Sequence, residues 1–388
     1  MPRKTNFNIN GHDYYRLTAT IGKNLNGSRI RKQFLGKNKT EAESLRDEYI
    51  NNIKSGLKTN YKDMDVQDLM KIWLFNVVKE DRAYNTFERY EAVYRNYVLN
   101  SPIAGLKVYD VQRLTLQTHY NKMKQNGYSD SQVYHLNKLL KTFFNYAVAE
   151  DYIIKNPCIG IKVTKNSKNI NADDNKIDPF TDEEVQLIRN KAKGSMYTLF
   201  QLGLGTGLRR GELIGLRIKD IDLKNMQLRV NVTLKRVKQF KDEDSYEYVT
   251  LIDDSTKTAN SVRTVPIPSK LILTLKEHID LERAKHKGLG IPHNNNSLLF
   301  TSETCTPYCG KNILTAFERL LKRAGVRYRC FHNIRHTYAT KLFEKRVPLI
   351  TISKLLGHAN TVITANVYIS VMPKEKTDAA EELNYLFE

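Results

Sequence analysis

Six side chains in the C-terminal half of the sequence are of types that together can break and rejoin a phosphodiester. They are Arg209, Lys257, His332, Arg335, His358 and Tyr368. Cations and imidazoles can surround one phosphate and stabilise the charge that it gains during transfer, while a tyrosine can act as the nucleophile. Tyr368 follows His358 by ten residues, which is close enough to reach the same phosphate if both lie on neighbouring turns. The set therefore predicts phosphodiester transfer through a covalent tyrosine intermediate.

The six side chains stand in short sequence words that resemble the signature of the phage integrase family of tyrosine recombinases. The words are Thr-Gly-Leu-Arg-Arg-Gly-Glu at 206–212, Thr-Lys-Thr at 256–258, His-Asn-Ile-Arg-His at 332–336 and Leu-Leu-Gly-His at 355–358. The resemblance is strong over residues 197–370 and looser before them. It implies a site-specific DNA recombinase that forms a 3′-phosphotyrosyl link and needs neither a cofactor nor a metal. Many members carry a histidine two residues after the tyrosine, whereas this chain has Ser370, which we expect to affect fine positioning rather than the class of reaction.

Arg209 is expected at the start of a helix. Gly205 to Gly207 predicts a break between two helices, which places Arg209 in the first turn of the second one, where free backbone N–H groups bind phosphate. The alternative is an ordinary ion pair between Arg209 and Glu212 on a surface helix. We expect Glu212 to support the arginine rather than to touch the phosphate.

Lys257 is expected at the tip of a β-hairpin. Strand-like runs at 248–252 and 262–267 flank it, with Thr256, Thr258 and Asn260 in the turn. From that tip the amine could protonate the leaving 5′-oxygen, because neighbouring cations favour its neutral form. The many other lysines of the chain make this assignment depend on the resemblance.

The histidines are expected to lie beside the second arginine. His332 and Arg335 are three residues apart and share one side of a helix, so that both can bind non-bridging phosphate oxygens. His336 is one turn from His332 and is expected to pack behind the site. His358 follows Gly357, a predicted helix end. Any one of these histidines would more often be a hydrogen-bonded core residue, and the spacing of all of them favours the site.

Composition favours nucleic acid as the partner. Lys and Arg number 62 against 42 Asp and Glu, and the net charge of +20 is spread along the chain, as binding to a long polyanion requires. Four scattered cysteines indicate a reducing compartment and have no zinc-site spacing. No apolar run approaches the roughly 20 residues that span a bilayer. These features predict a cytoplasmic, nucleoid-associated protein without a bound metal.

Residues 1–60 predict a small sheet followed by one helix. They contain 12 cations and 5 acids. A sheet face that carries arginine can lie in a major groove, so we expect this segment to bind DNA. The candidate residues are Arg16, Arg29, Arg31 and Lys32. The segment resembles the arm-type DNA-binding domains of integrases, and a solvated strand edge protected by charge is the alternative.

The rest of the chain divides into an all-helical block, a linker, a catalytic domain and a tail. We expect these at 64–160, 161–179, 180–370 and 371–388. Apolar residues recur at helical spacing in the block, whereas the linker is too polar to form a core. The predicted fold class is a mixed α+β multidomain protein. It has a small N-terminal sheet-plus-helix domain, a helical core-binding domain and a mainly α catalytic domain with a small antiparallel sheet.

The resemblance implies double-stranded DNA, with core and arm sites, as the partner of a homo-tetramer that forms on synapsed DNA. Accessory proteins that set direction or bend DNA are also expected. The extra N-terminal segment favours the integrase of a mobile element. The alternatives are a resolvase, a type IB topoisomerase, a non-catalytic DNA-binding regulator on the same scaffold, and a basic RNA-binding protein.

Overall fold

The structure is a computed structural model in which two compact units, Met1–Ser167 and Lys168–Glu388, are separated along the chain. It describes residues 5–9, 12–23, 29–54, 64–163, 178–243, 245–253 and 262–358, together with positions 361 and 365. Within those residues, no helix combines the length and the apolar character needed to cross a membrane. The division between the units falls in the polar segment that the sequence predicts as a linker.

The first unit begins with a three-stranded antiparallel sheet in the order β1-β2-β3. Its elements are β1 (Phe7–Ile9), β2 (His12–Lys23), β3 (Arg29–Gly36) and the following helix α1 (Lys39–Lys54). The side chain of Asn38 accepts a hydrogen bond from the backbone N–H of Glu41, which satisfies one of the free donors at the start of α1. Phe34 and Ala42 are buried between the sheet and the helix.

The register of the sheet divides the four predicted DNA-binding residues. Arg16 pairs with Leu35, and Arg31 pairs with Thr20, so both arginines lie on the face opposite to buried Phe34. Lys32 instead belongs to the helix side, where its ammonium lies 4.0 Å from the centre of the Tyr49 ring. Lys32 therefore lies on the other face of β3 from Arg31, because side chains alternate between the faces of a strand, and its contact with DNA stays a prediction. Arg29 is the first residue of β3.

The remainder of the first unit is helical. Helix α2 (Val66–Trp73) continues through a π-helical turn at Leu74–Val78 into α3 (Lys79–Asp81). It is followed by α4 (Tyr84–Tyr97), a short 3₁₀ turn at Val108–Asp110, α5 (Arg113–Gln125) and α6 (Asp130–Ala149). Trp73 packs its ring on Tyr90, Phe143 and Tyr146. Not every apolar residue on the helical stripes joins this core, since Leu114 is 74% exposed.

The second unit is mainly α-helical. Its helices are α7 (Asp182–Lys191), α8 (Gly194–Thr206), α9 (Arg210–Gly215), α10 (Ile272–Gly288), α11 (Gly310–Ala324), α12 (Asn333–Glu344) and α13 (Leu349–Leu356). Thr181 and Glu184 form a reciprocal capping box that begins α7. Phe180, Phe200 and Phe317 are fully buried at the centre of the core.

Two small antiparallel sheets complete the second unit. One has the order β4-β5-β8, from β4 (Ile221–Asp222), β5 (Gln227–Val230) and β8 (Arg263–Pro266); the other pairs β6 (Thr233–Phe240) with β7 (Tyr246–Asp253). The predicted fold class is confirmed. The predicted hairpin around Lys257 is wrong, because the strands on its two sides belong to different sheets: β7 pairs with β6 and β8 with β5.

Candidate active site

Arg209 lies at the junction between α8 and α9. Helix α8 ends at Gly207, whose φ of 63° is left-handed, and Arg209 is extended, with φ −67° and ψ 150°, immediately before α9. The break is where the sequence predicts it, but Arg209 is the residue before the first turn, not in it. Arg209 is therefore the N-cap residue of α9, flanking the free backbone N–H groups of its first turn.

Glu212 is the buried acid on which two arginines meet. Its oxygens Oε1 and Oε2 accept bonds from Arg209 Nη1 and from the Arg209 backbone N–H, both at 2.8 Å. Arg263 donates to the same two oxygens at 3.2 and 2.9 Å. Burial alone would raise the pKa of Glu212, but the hydrogen bonds and charge of Arg263, with those of Arg209, lower it to about 2. The pairing of Arg209 with Glu212 is thus present within a larger cluster.

Arg335 is buried, and its guanidinium connects three parts of the chain. It projects from the first turn of α12 and is 3% exposed. Nη1 donates to the Gly207 carbonyl at 2.9 Å, while Nη2 donates to the Leu356 carbonyl at 2.6 Å and lies 2.8 Å from His358 Nε2. Burial lowers the pKa of Arg335 to about 9, so the group stays protonated at neutral pH.

The three histidines surround this arginine as neutral rings. The pKa of His358 falls to about 4 through burial and the charges of Arg335 and Arg209. The pKa of His332, exposed at the rim of the cluster, is lowered by partial loss of water and by the same two arginines. His336 packs edge-on against His332, with ring centres 4.7 Å apart, and burial lowers its pKa to about 4. Because Arg335 can only donate, His358 Nε2 accepts, which fixes the proton of the neutral ring on Nδ1.

The cluster carries more positive than negative charge. Among the described residues of the cluster, three guanidiniums, those of Arg209, Arg263 and Arg335, stand against one carboxylate, that of Glu212, which binds Arg209 and Arg263 and also acts on Arg335 through its charge. Arg209 is the most accessible of them, with 39% of its side chain exposed, against 7% for Arg263. An anion entering from solvent would therefore meet Arg209 first, in front of a buried positive charge.

Four of the six predicted catalytic side chains come together here: Arg209, His332, Arg335 and His358. The two residues predicted to support them, Glu212 and His336, contact Arg209 and His332 respectively. Lys257 and Tyr368, like the tail from residue 371, lie outside the described residues. In the part of the chain that the structure describes, no group of three or more His, Cys, Asp or Glu side chains could hold a metal ion.

Arg263 is the residue that sequence reasoning missed. The strand alternation of β8 offered a signal, because Arg263 is two positions from Val265, which is fully buried. An arginine on the inward face of a strand needs a buried acid. In the structure that acid is Glu212.

Comparison with known proteins gives a consistent family. Residues 179–375 match the model of the phage integrase family. A "tyrosine recombinase XerC-like" protein of Caldanaerobacter subterraneus subsp. tengcongensis is 46% identical over the whole length of both chains. The ICEBs1 integrase of Bacillus subtilis is 24% identical, covering 96% of this chain and 97% of its own.

Among solved structures, the Tn1549 transposon integrase in complex with transposon right end DNA has the same fold. It superimposes with a TM-score of 0.65 at 21% identity, over 84% of this chain and all of the other. The family resemblance drawn from the sequence words is confirmed. By its matched domain and its full-length relative, this chain belongs to the phage integrase family, the tyrosine recombinases.

Proposed function

We propose that this protein is a site-specific DNA recombinase that integrates and excises a mobile element through a 3′-phosphotyrosyl intermediate. The observation that carries the proposal is the cluster in which Arg209 and Arg335 meet His358 at the end of α13. The three guanidiniums of Arg209, Arg263 and Arg335 exceed the Glu212 carboxylate by two charges. A phosphodiester carries one negative charge and gains a second as it is attacked, so the excess matches the transition state.

The six predicted catalytic residues take separate roles in this reaction. Tyr368 loses its phenolic proton to solvent, and its oxygen attacks the scissile phosphorus, forming a phosphotyrosyl bond as the bond to the 5′-oxygen breaks. Lys257 gives its proton to that leaving oxygen. The arginines and the two histidines, His332 and His358, hold the non-bridging oxygens. Attack by the 5′-hydroxyl of another strand then reverses the step and conserves the bond energy without ATP.

The partner of this chain is double-stranded DNA, with core sites cut by the second unit and arm sites bound by the N-terminal sheet. Exchange between two duplexes cuts four strands, which requires four active sites and favours a homo-tetramer on synapsed DNA. The names of the relatives, which include the ICEBs1 integrase and a Tn1549 transposon integrase, favour a mobile element as the substrate. Accessory proteins that set direction or bend DNA would act on that assembly, in the cytoplasm with the nucleoid.

The test is capture of the covalent adduct on a nicked suicide substrate that carries the recombination site. The wild-type protein should form a denaturation-resistant adduct linked to the DNA 3′ end, and it should do so in EDTA, because the proposed reaction uses arginines and lysine in place of a metal. Tyr368→Phe should abolish the adduct and leave DNA affinity unchanged, since only the nucleophilic oxygen is lost. Tyr328→Phe, at a tyrosine that is 62% exposed, is the matched control and should cut normally.

The outcomes also separate the alternatives. A non-catalytic regulator would bind the site without any adduct. A topoisomerase would form adducts and relax supercoils without exchanging strands between two sites. An adduct that persists in Tyr368→Phe would place the nucleophile elsewhere, and cleavage lost in EDTA and restored by a divalent ion would contradict the metal-free reaction.

A further inference from the structure

Arg263 is the most buried positive charge that touches the acid of the site. It is the first residue of β8, and its side chain is only 7% exposed. Nη1 and Nη2 straddle the two oxygens of Glu212, and Nε donates to the Leu355 carbonyl at 2.7 Å. A planar fork that binds both oxygens of a carboxylate fixes its plane as well as its distance.

The Glu212 carboxylate, held in this orientation, in turn positions Arg209. Each of its oxygens takes one bond from Arg263 and one from Arg209, so the acid is a bridge between the two guanidiniums. With a buried arginine already neutralising the acid, Arg209 keeps positive charge for another anion. If Arg263 lost its charge, the buried carboxylate would have Arg209 as its remaining partner in this cluster and would draw it inwards, because a buried carboxylate needs a counter-charge.

The other arm of Arg263 reaches the C-terminal end of α13. Three successive backbone carbonyls there, at 355, 356 and 357, accept hydrogen bonds from the three guanidiniums of the cluster in turn. The last carbonyls of a helix have no partner inside it and carry partial negative charge, so cations stabilise them. His358 directly follows this turn.

Gly357 leaves room for the side chain of the same arginine. It ends α13 in the left-handed conformation, with φ 66°. A Cβ at this position would lie 2.9 Å from Nη1 of Arg263 and 3.0 Å from its Cδ, closer than ordinary van der Waals contact. The Arg263 side chain therefore fills the space that the missing side chain leaves, and it fits against the turn that carries His358.

We infer that Arg263 is a positioning residue of strand cleavage, which orients Arg209 through Glu212 and His358 through the C-terminal turn of α13. This inference rests on the proposed function. It goes beyond the six catalytic residues because Arg263 has both nitrogens of its fork on Glu212 and acts through its neighbours. An arginine that serves only to stabilise the fold would not affect the chemical step once the protein is folded.

The experiment measures single-turnover cleavage of the suicide substrate at saturating DNA, alongside DNA affinity and thermal melting. Arg263→Met should slow cleavage by about tenfold to a hundredfold, since small misplacement of catalytic groups has effects of that size, while DNA affinity changes little. Arg263→Lys should recover part of the rate, because it restores the charge without the two-pronged fork. The matched control is Arg229→Met, at an exposed arginine on the adjacent strand β5, which should cleave at the wild-type rate.

A double-mutant cycle identifies the route of the effect. If Arg263 acts mainly through Glu212, adding Arg263→Met to Glu212→Gln should slow cleavage far less than it does in the wild-type background. The double variant removes the buried charge together with its partner, so comparing it with Glu212→Gln still reports the effect of Arg263→Met in a folded background if Arg263→Met alone folds poorly. If the double variant is slowed by the full product of the two single-variant effects, Arg263 does not act through Glu212 and the bridging role is overturned.

The outcomes distinguish this inference from the proposed function. Wild-type protein that forms no adduct refutes the recombinase itself. If the wild-type protein cleaves, and a folded Arg263→Met variant cleaves at the same rate, only the positioning role is refuted. Slow cleavage in Arg263→Met that is partly recovered in Arg263→Lys, with both variants at the wild-type melting temperature, supports it.

Discussion

At the scale of single residues, Arg335 shows why charge alone is not enough for the proposed chemistry. Its guanidinium reaches two backbone carbonyls and His358 at once from a buried position. Arg335→Lys keeps the charge but has a single nitrogen, so it cannot hold these partners together. We expect single-turnover cleavage to fall by about 10²–10³-fold, the usual cost of removing one transition-state donor, with DNA affinity little changed.

The matched control for Arg335→Lys is Arg323→Lys, which makes the same exchange at an exposed position of α11. It should cleave like the wild type. Equal rates for Arg335→Lys and the wild type would show that the two-pronged geometry is dispensable and that charge alone acts on the phosphate.

His336 makes stability depend on pH in a defined direction. Its pKa is about 4 in the folded protein, through burial and the neighbouring His332 and Arg335, against an ordinary value of 6.5. Between these values the unfolded chain binds the proton more readily, so protonation favours unfolding. The free energy of unfolding should be unaffected by this group above pH 6.5 and should fall as the pH drops towards 4, by at most about 1.4 kcal/mol per pH unit.

His336→Gln removes that proton site while keeping a neutral polar side chain. Urea unfolding of both proteins at several values between pH 4.5 and 7.5 measures the difference. The variant should lose less stability than the wild type as the pH falls. Two parallel curves of unfolding free energy against pH would contradict the assignment of the proton to His336.

At the scale of elements, the site is assembled from helix ends. The turn after α8 supplies Arg209 and the Gly207 carbonyl, α12 supplies Arg335, and the end of α13 supplies His358. Such ends leave backbone donors and acceptors free, and the guanidiniums of the site use the acceptors. The site therefore depends on how closely these ends approach one another.

Gly207 tests that dependence. Its conformation is left-handed, and a Cβ there would overlap the ring of Tyr338 on α12. Gly207→Ala should therefore lower both the melting temperature and the cleavage rate, since the overlap pushes apart the turn and the helix that carry Arg209 and Arg335. Melting and single-turnover cleavage are the measurements.

Gly325→Ala isolates the contribution of backbone strain. Gly325 ends α11 with nearly the same φ, 68°, but a Cβ there would meet nothing within 4 Å. Both alanines have the left-handed strain of about 1–2 kcal/mol, and only the change at 207 adds the overlap. If both variants lose the same stability and both keep full activity, the contact between α8 and α12 tolerates an added methyl group.

Much of this arrangement was readable from the sequence because it is local. The break at Gly207, the capping box of Thr181 with Glu184 and the end of α13 at Gly357 all follow from residue types within a few positions. Strand partners were not readable in that way. Strand β7 pairs with β6, and in the polar turn between them Asp242 accepts hydrogen bonds from Ser245. The strand after Lys257 pairs with β5 instead. That turn was a missed signal.

The buried role of Arg263 was harder to predict, since it depends on contact between residues 51 positions apart in sequence, Glu212 and Arg263. Alternation in β8 puts Arg263 inward, but which acid meets it is set by packing between the strand and α9. The arginines and histidines that we propose as catalytic could be identified from the short sequence words of the family alone. Arg263, which contacts the same cluster, could be assigned to it only from the folded structure.

At the scale of the whole molecule, positive charge is distributed over both units rather than collected at the site. Residues 1–60 alone contribute 12 cations against 5 acids, far from the cluster in sequence. In the sheet that they form, Arg16 and Arg31 lie on the face away from buried Phe34. We expect this segment to bind arm-site DNA without contributing to cleavage.

Deletion of residues 1–60 tests this division. Each phosphate contact adds about 0.9 to the slope of log affinity against log salt, so the truncated protein should show a shallower slope than the full chain on DNA that carries arm sites. On a core site alone the two slopes should agree, and adduct formation on the core suicide substrate should be unchanged. Integration of a substrate with distal arm sites should fall, because the arms no longer have their binding module. Equal integration by both proteins, or equal salt slopes on arm-site DNA, would show that the segment does not read arm sites, whereas loss of core cleavage would give it a part in assembling the active site.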